Sequence, residues 1–468
     1  MVAIVGAMLF AALNQTIVGT VLPRIVQSLG GVEYLTWVFT LYMLTSSVSS
    51  VLAGRLSDLY GRKPFLVTGV VVFSVGSFLC GLSGSIWELI VWRGLQGIGG
   101  GLVMSTSFAA VADLFSPRER GRWQGLLGAG FGLASVLGPT LGGFVVDHAD
   151  WHWVFWIFLP VGVPTLWLLL RLFPSVPRGE RQPLDVAGAG FLTATLVPLL
   201  LAFSWAGTRY PWTSVEVDAL LGAAVVAAVL LVVAERRAPK PVLPLGMLSN
   251  PTVALSNGVS FLLGAGMFGA IIYVPMFAQV VLGSSATESG FVTMPMTLGL
   301  VLASAVSGQV VTRTGRYKLL AIAGLLVVAA GTTSLALLDS SSSMARVALG
   351  IAVTGLGIGV GLPVFTLTVQ NAVDPREVGV ATASSQLSRQ LGGVLGASVM
   401  GSVFNQRMGD VARGFAGPVA EGKRLGVASG IQGVFWMATV AVVVAVALAV
   451  LLREEPLKGG VAREPAEA

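Results

Sequence analysis

The stretch Gly54-Arg55-Leu56-Ser57-Asp58-Leu59-Tyr60-Gly61-Arg62-Lys63-Pro64-Phe65-Leu66 decides the fold of this chain. It lies between two long apolar runs and places one acid and three bases in a turn. Because charged side chains are costly in hydrocarbon, such a turn marks a membrane surface. Its excess of Arg and Lys predicts that this surface is the cytoplasmic one.

The composition indicates an integral membrane protein. Of the 468 residues, 54% are hydrophobic and 11% are charged, with a mean hydropathy of +0.84, whereas soluble domains carry about 25% charged residues. The apolar runs are long enough for a helix to cross about 30 Å of hydrocarbon and too long for barrel strands. The sequence therefore predicts an all-α integral membrane protein.

Fourteen apolar runs have the length of transmembrane helices. They are predicted at residues 3–24, 34–56, 64–84, 87–112, 122–146, 152–171, 185–206, 217–235, 252–281, 287–311, 317–338, 345–369, 378–404 and 428–452. Nineteen of the 28 Lys and Arg residues lie on the side of the opening turn and seven on the other. This bias predicts a multi-pass protein of the cell inner (plasma) membrane with both termini in the cytoplasm. Met1–Leu13 lacks a basic n-region and a cleavage site, so we interpret it as part of the first span.

Several other classes of protein are disfavoured. The net charge of +6 comes from bases in short loops, so we expect no nucleic-acid binding. The run Gly99–Gly101 lies inside a span with no preceding strand, and no Walker sequence occurs, so we expect no nucleotide binding. Cys80 is the only cysteine, which excludes an intramolecular disulfide. We expect no cofactor.

The only histidines, His148 and His152, lie beside Asp147 and Asp150 in a predicted outer loop. Two imidazoles with neighbouring acids could hold a metal ion. Tryptophans flank the same loop, however, and these favour the membrane interface. We therefore interpret the histidines as interfacial residues and expect no metal site.

An internal repeat divides the chain. Residues 308–320 align without a gap to the opening turn, with Gly315 on Gly61 and Arg316 on Arg62. Residues 97–102 also align with residues 357–362, Gly97 on Gly357. Glycines and basic loops recur in many multispan proteins, but two matches at similar spacing favour a duplication.

The repeat predicts two pseudo-symmetric six-helix bundles, at residues 1–180 and 246–455. Residues 181–245 then contain two inserted helices, and residues 456–468 form a cytoplasmic tail. Duplicated halves with a site near the bilayer midplane between them are typical of secondary transporters. We expect a monomer whose halves rock around a central cavity.

The opening turn resembles the signature loop of the major facilitator superfamily. Residues 93–101, which begin Arg93-Gly94, resemble the superfamily's Arg-Gly motif, and residues 132–143 resemble the antiporter motif that separates exporters from importers. Residues 13–23 and 151–162 are similar to the fourteen-span drug:proton antiporter branch. The resemblance covers essentially the whole chain and implies the major facilitator fold.

The opening turn also suggests a gate. Asp58 and Arg62 are four residues apart and can pair on one helical face. The resemblance implies that Asp58 also contacts the start of a helix in the other half, near residues 378–382, and that this contact keeps the cytoplasmic side closed. A turn that only marks topology would explain the bases but not the acid. The second copy has Thr312 in place of Asp58, so the contact is predicted in one half only.

Further gating and coupling residues lie inside the spans. Arg93 is an intramembrane cation and therefore a functional candidate, with Gln96 one turn away as a hydrogen-bond partner; the alternative is an Arg that snorkels outward. Pro139 is expected to kink its helix, because proline removes a backbone N–H. Gly138 and the other glycines beside it allow close helix packing. The predicted gating and coupling residues are Asp58, Arg62, Arg93, Asp113, Gly138 and Pro139.

Asn14 occupies a position where many members of this branch carry an acid, and no carboxylate lies near the middle of any predicted span. If transport is coupled to protons, we expect the proton on Asp58, Asp113 or Glu288, or on substrate exchange itself. Polar and adaptable apolar side chains inside the spans are candidates for a substrate cavity, although many such residues serve helix packing. The predicted cavity residues are Asn14, Gln15, Gln96, Phe131, Asn257, Phe261, Met294, Phe365 and Arg389, the last with Gln386 and Gln390 nearby.

We predict a secondary active exporter, not an enzyme. Its expected partners are a small amphipathic substrate, cationic or neutral, together with protons and the lipid bilayer. Export of a lipid or a specific metabolite with weak or absent proton coupling is the alternative, favoured by the missing midplane acid. A membrane-embedded enzyme is disfavoured because the sequence has neither a Ser-His-Asp arrangement nor a metal motif.

Overall fold

The fold is known from a computed structural model that describes residues 1–30, 34–157, 159–173, 185–206, 209–238, 241–242, 244–284, 286–415 and 418–454. The helices are α1 (Val2–Leu29), α2 (Leu35–Tyr60), α3 (Arg62–Cys80), α4 (Ile86–Leu114), α5 (Pro117–His148), α6 (Trp153–Trp156), α7 (Leu159–Leu172), α8 (Val186–Trp205), α9 (Val215–Arg237), α10 (Leu245–Leu248), α11 (Pro251–Met276), α12 (Ala286–Thr314), α13 (Lys318–Ala336), α14 (Met344–Asn371), α15 (Val378–Gly414) and α16 (Val419–Leu451). A π-helical turn, Phe277–Val281, continues α11. No β-strand occurs within these ranges, apart from one isolated bridge between Ala206 and Tyr210.

Eleven helical segments of the described chain are long and apolar enough to cross a membrane. The prediction of fourteen spans is therefore not confirmed in number, although each predicted span overlaps one or more of the described helices. The first span contributes the shorter apolar segment Val2–Gln15, and neither α5 nor α15 is among the eleven. In α15 the reason is composition, because this helix faces other helices and carries Ser, Gln and Arg among its glycines.

Two separate hydrophobic cores show the division into halves. One core consists of buried residues from α1 to α7 and ends at Phe173, and the other consists of residues from α11 to α16, beginning at Val259. The described helices therefore form two bundles, which we call the N-half (α1–α7) and the C-half (α11–α16). The domain boundaries predicted inside the linkers stay predictions, and residues 456–468 lie outside the described chain.

Positive backbone φ angles support the internal repeat. Among the described residues they occur at four glycines: Gly30 (73°), Gly61 (90°), Gly283 (72°) and Gly315 (67°). Gly30 and Gly283 follow the first helix of each half, and Gly61 and Gly315 join its second and third helices. Only glycine adopts this conformation without strain, so the repeat is conserved at the level of the backbone.

The glycine-rich alignment of the fourth helices is wrong by two residues. In α4, Gly97 packs against the Tyr42 carbonyl of α2 and Gly99 packs against Phe73 of α3. In α14 the same pair of contacts, to α12 and α13, is made by Gly355 and Gly357. Gly97 therefore corresponds to Gly355 and not to Gly357. The sequence alignment slipped because glycines repeat every two residues in both segments.

The halves cross twice at the end of the bundle that contains the Gly61 and Gly315 turns, which we call the Gly61 end. At the α2–α15 crossing, a methyl group on Gly54 would lie 2.7 Å from the Gly379 carbonyl oxygen. At the α5–α12 crossing, a methyl group on Gly121 would lie 2.9 Å from the Gly308 carbonyl oxygen. Gly54 and Gly308 are equivalent in the repeat, so both crossings bring backbone directly against backbone.

The inserted hairpin, α8 and α9, packs against both halves. Its apolar contacts include Leu192 and Leu196 against Val51 of α2 and Leu391 of α15. At the other end of the bundle, which we call the Ser85 end because α4 begins there, Thr40 of α2 hydrogen-bonds Ser204 at 3.1 Å. The hairpin therefore covers the α2–α15 seam from the side.

Candidate functional site

Asp58 connects the two halves at the Gly61 end. Its buried carboxylate accepts hydrogen bonds from the backbone N–H groups of Gly379 and Val380, both at 3.0 Å. These amides belong to the first turn of α15, where N–H groups lack helical partners and the helix dipole favours an anion. The inter-half contact implied for Asp58 is therefore present. Its role as a gate stays a prediction.

Arg62 links this contact to a second acid. The predicted pairing of Asp58 with Arg62 is confirmed by an ion pair between the two side chains. On its other side, Arg62 Nε donates to Asp113 Oδ2 at 2.7 Å, and its Nη1 donates to the Ser57 hydroxyl at 2.6 Å. The ends of α2 and α4 and the start of α15 thus meet at one guanidinium group. A buried cation with two carboxylates and a hydroxyl is a well-satisfied arrangement.

The equivalent position of the C-half makes no such contact. The Thr312 hydroxyl donates to the Gly308 carbonyl of its own helix at 2.8 Å. The α5–α12 crossing therefore closes without a carboxylate at this position, as the sequence predicted from Thr312.

Two buried glutamines add a further connection between the halves. Gln124 of α5 donates to Gln370 Oε1 of α14 at 3.2 Å, and Gln370 Nε2 contacts the Thr382 hydroxyl at 2.9 Å and the Phe108 carbonyl at 3.3 Å. Gln124 is fully buried and Gln370 is 2% exposed. Buried amides without partners are costly, so this cluster stabilises the arrangement in which the Gly61 end is closed.

We expect Gln370→Met to weaken this closure, because it leaves the Gln124 amide without its inter-half partner. A cysteine introduced at Ser105 of α4, in a Cys80→Ala background, should then react with a maleimide about three to ten times faster from the Gly61 end, as for a loss of about 1 kcal/mol. Gln279→Met is the matched control, because Gln279 bonds Ser289 within the C-half. Equal reactivity in both variants would contradict the role of the glutamine cluster.

A chain of hydrogen bonds runs through the interior of the N-half. Arg93 Nη1 donates to Gln96 Oε1 at 2.5 Å, and Gln96 Nε2 donates to Asn14 Oδ1 at 2.9 Å. Asn14 Nδ2 then donates to the Ser77 hydroxyl at 3.2 Å, which donates to the Phe155 carbonyl at 2.7 Å. The predicted pairing of Arg93 with Gln96 is thus present. Gln96 in turn donates the hydrogen bond that the Asn14 amide oxygen accepts.

Arg93 is completely buried rather than snorkelling outward. Its guanidinium carbon lies 4.1 Å from the centre of the Tyr42 ring, a cation–π contact. Its Nε and Nη2 have no hydrogen-bond partner within the described chain. The charge of Arg93 is therefore stabilised by one amide oxygen and one aromatic face, an arrangement that sequence reasoning missed because Tyr42 lies on another helix.

We expect the Asn14–Gln96 pair to show strong coupling in protein stability. Asn14→Leu and Gln96→Leu should each destabilise the protein by about 1–3 kcal/mol, since each leaves a buried polar partner unpaired. The double variant should lose less than the sum, with a coupling of about 1 kcal/mol or more. Thermal unfolding of the four proteins in detergent measures this cycle. Additive losses would show that the two amides do not interact.

The predicted cavity residues do not form one surface. Asn14 and Gln96 are fully buried in the N-half, and Phe365 packs in the core of the C-half at 1% exposure. Met294 is 36% exposed on α12, and Asn257 is buried and donates to Ser384 of α15 at 3.1 Å. Four of the nine predicted cavity residues are thus buried in this structure, and the role of the set in a substrate cavity stays a prediction.

The remaining predicted residues have varied positions. Gln15, Phe261 and Arg389 are partly exposed, and Gly138 is buried in α5. The side chains of Phe131 and Pro139 lie outside the described residues. The Arg389 side chain makes no hydrogen bond within the described residues. The expected partners bond elsewhere: Gln390 accepts from Ser47 of α2 across the halves, and Gln386 donates to the Met104 carbonyl at 3.5 Å.

The two histidines have local partners. His148 Nδ1 lies 2.9 Å from the Phe144 carbonyl, and His152 Nδ1 lies 2.7 Å from Asp150 Oδ1. The His152 contact holds the pKa of Asp150 below its usual value. Within the described ranges, no group of three or more His, Cys, Asp or Glu side chains could hold a metal ion.

Comparison with known proteins connects this geometry to a family. Residues 4–397 match the family model of the Major Facilitator Superfamily. Among curated relatives, the multidrug transporter protein MdtP of Bacillus subtilis (strain 168) is 40% identical over 405 residues, covering 86% of this chain and 75% of the relative. Multidrug resistance protein 3 of the same organism is 33% identical over 420 residues, covering 88% of this chain and 81% of the relative.

Solved structures share the fold at low sequence identity. The crystal structure of the human organic anion transporter MFSD10 (TETRAN) superposes with a TM-score of 0.68 at 17% identity, covering 94% of this chain and 98% of that one. At this identity the likeness concerns the fold alone.

Proposed function

The chain belongs to the major facilitator superfamily and is a transporter, not an enzyme, and we propose that it exports amphipathic small molecules from the cytoplasm by alternating access, driven by the proton gradient. The names of its relatives as multidrug transporters support drug efflux as the activity. The proposal includes a monomer with fourteen spans in the cell inner membrane. Both termini lie in the cytoplasm.

The observation that carries this proposal is the set of contacts between the halves at the Gly61 end. The Asp58 contact, the glutamine cluster and both glycine crossings lie in the half of the bundle that the charge bias assigns to the cytoplasm. Alternating access requires contacts that close one end and break when the other closes. The contacts at the Gly61 end are those that the proposal requires when the cytoplasmic side is closed.

In this proposal the coupling proton is carried by Asp58, Asp113 or Glu288, at the ends of the helices, or by substrate exchange itself. Asp58 and Asp113 both contact Arg62, so protonation of either acid would weaken the cluster that holds the Gly61 end closed. Glu288 is exposed at the start of α12. The proposal therefore assigns the proton to the opening step rather than to a buried midplane site.

Reconstitution into liposomes with an imposed pH gradient tests the proposal. A lipophilic cationic dye, a neutral drug and a labelled lipid are offered in parallel. We expect gradient-dependent movement of the dye or the drug, and collapse of the gradient should abolish it. Transport of all three compounds without a gradient would overturn the antiporter mechanism.

Export of a lipid or a specific metabolite with weak coupling is the second candidate. The observation in its favour is Asn14, which stands where a carboxylate would bind a cation and is bonded within the N-half. Selective movement of the labelled lipid in the same assay would favour this candidate.

A further inference from the structure

A pocket of about 520 Å³ lies between the two halves and the inserted hairpin. Its walls come from α2 of the N-half, α11 and α15 of the C-half, and α8 of the hairpin. The residues from α15 recur at helical spacing, from Val394 through Ala397 and Gly401 to Phe404, and therefore form one face of that helix. This volume is in the range of small-molecule sites.

The lining of the pocket is uncharged. It contains no Asp, Glu, Lys, Arg or His, and most of its side chains are aliphatic or aromatic. Its serine and threonine hydroxyls are bonded: Thr40 pairs with Ser204 at 3.1 Å, and Ser398 donates to the Ala206 carbonyl at 3.2 Å. Its other polar side-chain groups are the Tyr273 hydroxyl and the Asn405 amide. Apolar cavities of this kind do not hold stable water, so the chemistry favours an uncharged, mainly hydrocarbon molecule.

The α11 wall of the pocket includes an exposed residue. Ile272 belongs to its wall and is 45% exposed. All of its α2 residues lie in the first ten residues of that helix, toward the Ser85 end. If the Gly61 end is cytoplasmic, the pocket lies at the depth of the outer half of the bilayer.

We propose that this lateral pocket binds uncharged lipophilic substrates on their way out of the transporter, which makes neutral hydrocarbon-rich molecules part of its substrate class. The inference rests on the proposed export function. Because α2 and α15 belong to different halves, rocking of the halves changes the width of the pocket. The α8 wall bonds to α2 through Ser204 and to α15 through the Ala206 carbonyl. It therefore stays attached to both helices when the halves move.

Photolabelling of the full chain in nanodiscs of saturated phosphatidylcholine tests the site. The probes are a neutral diazirine-bearing benzyl ether and, separately, a diazirine-bearing phosphatidylcholine. We expect the benzyl ether to label peptides of α2, α8 and α15, and an unlabelled neutral drug that the protein exports to compete with it. Labelling of these peptides by the lipid probe, without competition by the drug, would overturn the assignment to substrate.

Filling the pocket provides the matched variants. A methyl group on Gly401 would lie 3.5 Å from the Tyr273 hydroxyl, so a side chain can be added there. Gly401→Leu, or Ala397→Leu if that variant does not fold, should lower labelling by about tenfold through loss of apolar contact area. Val399→Phe is the control, because Val399 is 42% exposed on another face of α15. Equal labelling of all these variants would contradict the proposal.

Transport by the same variants separates this inference from the proposed function. Gly401→Leu should reduce export of the neutral drug by about tenfold and leave export of the cationic dye at the level of Val399→Phe. A wild-type protein that moves neither compound would refute export while the labelling result still stands. Equal loss of both compounds would remove the pocket from the export route.

Discussion

Replacing Asp58 with alanine is expected to reduce transport by more than about tenfold and to open the Gly61 end. The variant loses two charge-assisted hydrogen bonds to the first turn of α15 and the ion pair with Arg62. Losses of this kind total about 2–4 kcal/mol, and about 1.4 kcal/mol already changes an equilibrium tenfold. Maleimide reactivity of Ser105→Cys in the Cys80→Ala background should rise together with the loss of transport.

Thr312→Ala is the matched control for this prediction. Thr312 occupies the same position in the repeat but bonds only its own helix, so its loss should leave transport and thiol reactivity within about twofold of wild type. The transport rate and thiol reactivity of Asp58→Asn should lie between those of Asp58→Ala and Thr312→Ala, since an amide oxygen still accepts one of the two backbone hydrogen bonds. If Asp58→Ala transports as well as Thr312→Ala, the Asp58 contact does not hold the gate.

The bundle architecture was accessible from sequence because its causes are local. The length of an apolar run predicts a membrane span. The glycine and the two charges of Gly61-Arg62-Lys63 predict the turn. The second copy at Gly315-Arg316 reveals the duplication in the same way. The structure adds that both turn glycines have positive φ, which explains why glycine recurs there.

The number of spans and the register of the repeat were harder to predict. Helices that pack mainly against other helices, such as α15, carry polar and small residues and lose the hydropathy signal of a span. In α4 and α14 the glycines repeat every two residues, so an alignment can slip without losing matches. Only the backbone that each glycine packs against, Tyr42 for Gly97 and Met296 for Gly355, determines the register.

The contacts of the candidate site were predicted only in part, because a sequence indicates contacts within one helix but not contacts between distant helices. Pairs within one helix, Asp58 with Arg62 and Arg93 with Gln96, follow from spacing. The contact of Gln124 with Gln370 and of Arg93 with Tyr42 depends on which faces of distant helices meet, and one sequence does not contain that information. A glutamine within an otherwise apolar and glycine-rich helix, as at Gln370, was the available signal.

Replacing Gly54 with valine is expected to abolish transport, because closure of the Gly61 end leaves no room for a side chain there. Even a methyl group would lie 2.7 Å from the Gly379 carbonyl oxygen and 2.6 Å from the Ala383 side chain. Overpacking of this kind costs about 1–3 kcal/mol or more, and the clash involves backbone that cannot rotate away. Transport in proteoliposomes and thiol reactivity at Ser105→Cys measure the effect.

Gly308→Val should have a similar effect and Gly130→Val almost none. Gly308 is the repeat equivalent of Gly54, and a methyl group there meets the Gly121 carbonyl oxygen, whereas nothing lies within 4 Å of a methyl group on Gly130. Normal transport by Gly54→Val would show that the crossings need not close. Loss of transport in both Gly54→Val and Gly308→Val would show that backbone packing closes the Gly61 end in both halves. The expected contrast between the Asp58 and Thr312 variants would show that the carboxylate acts in one half only.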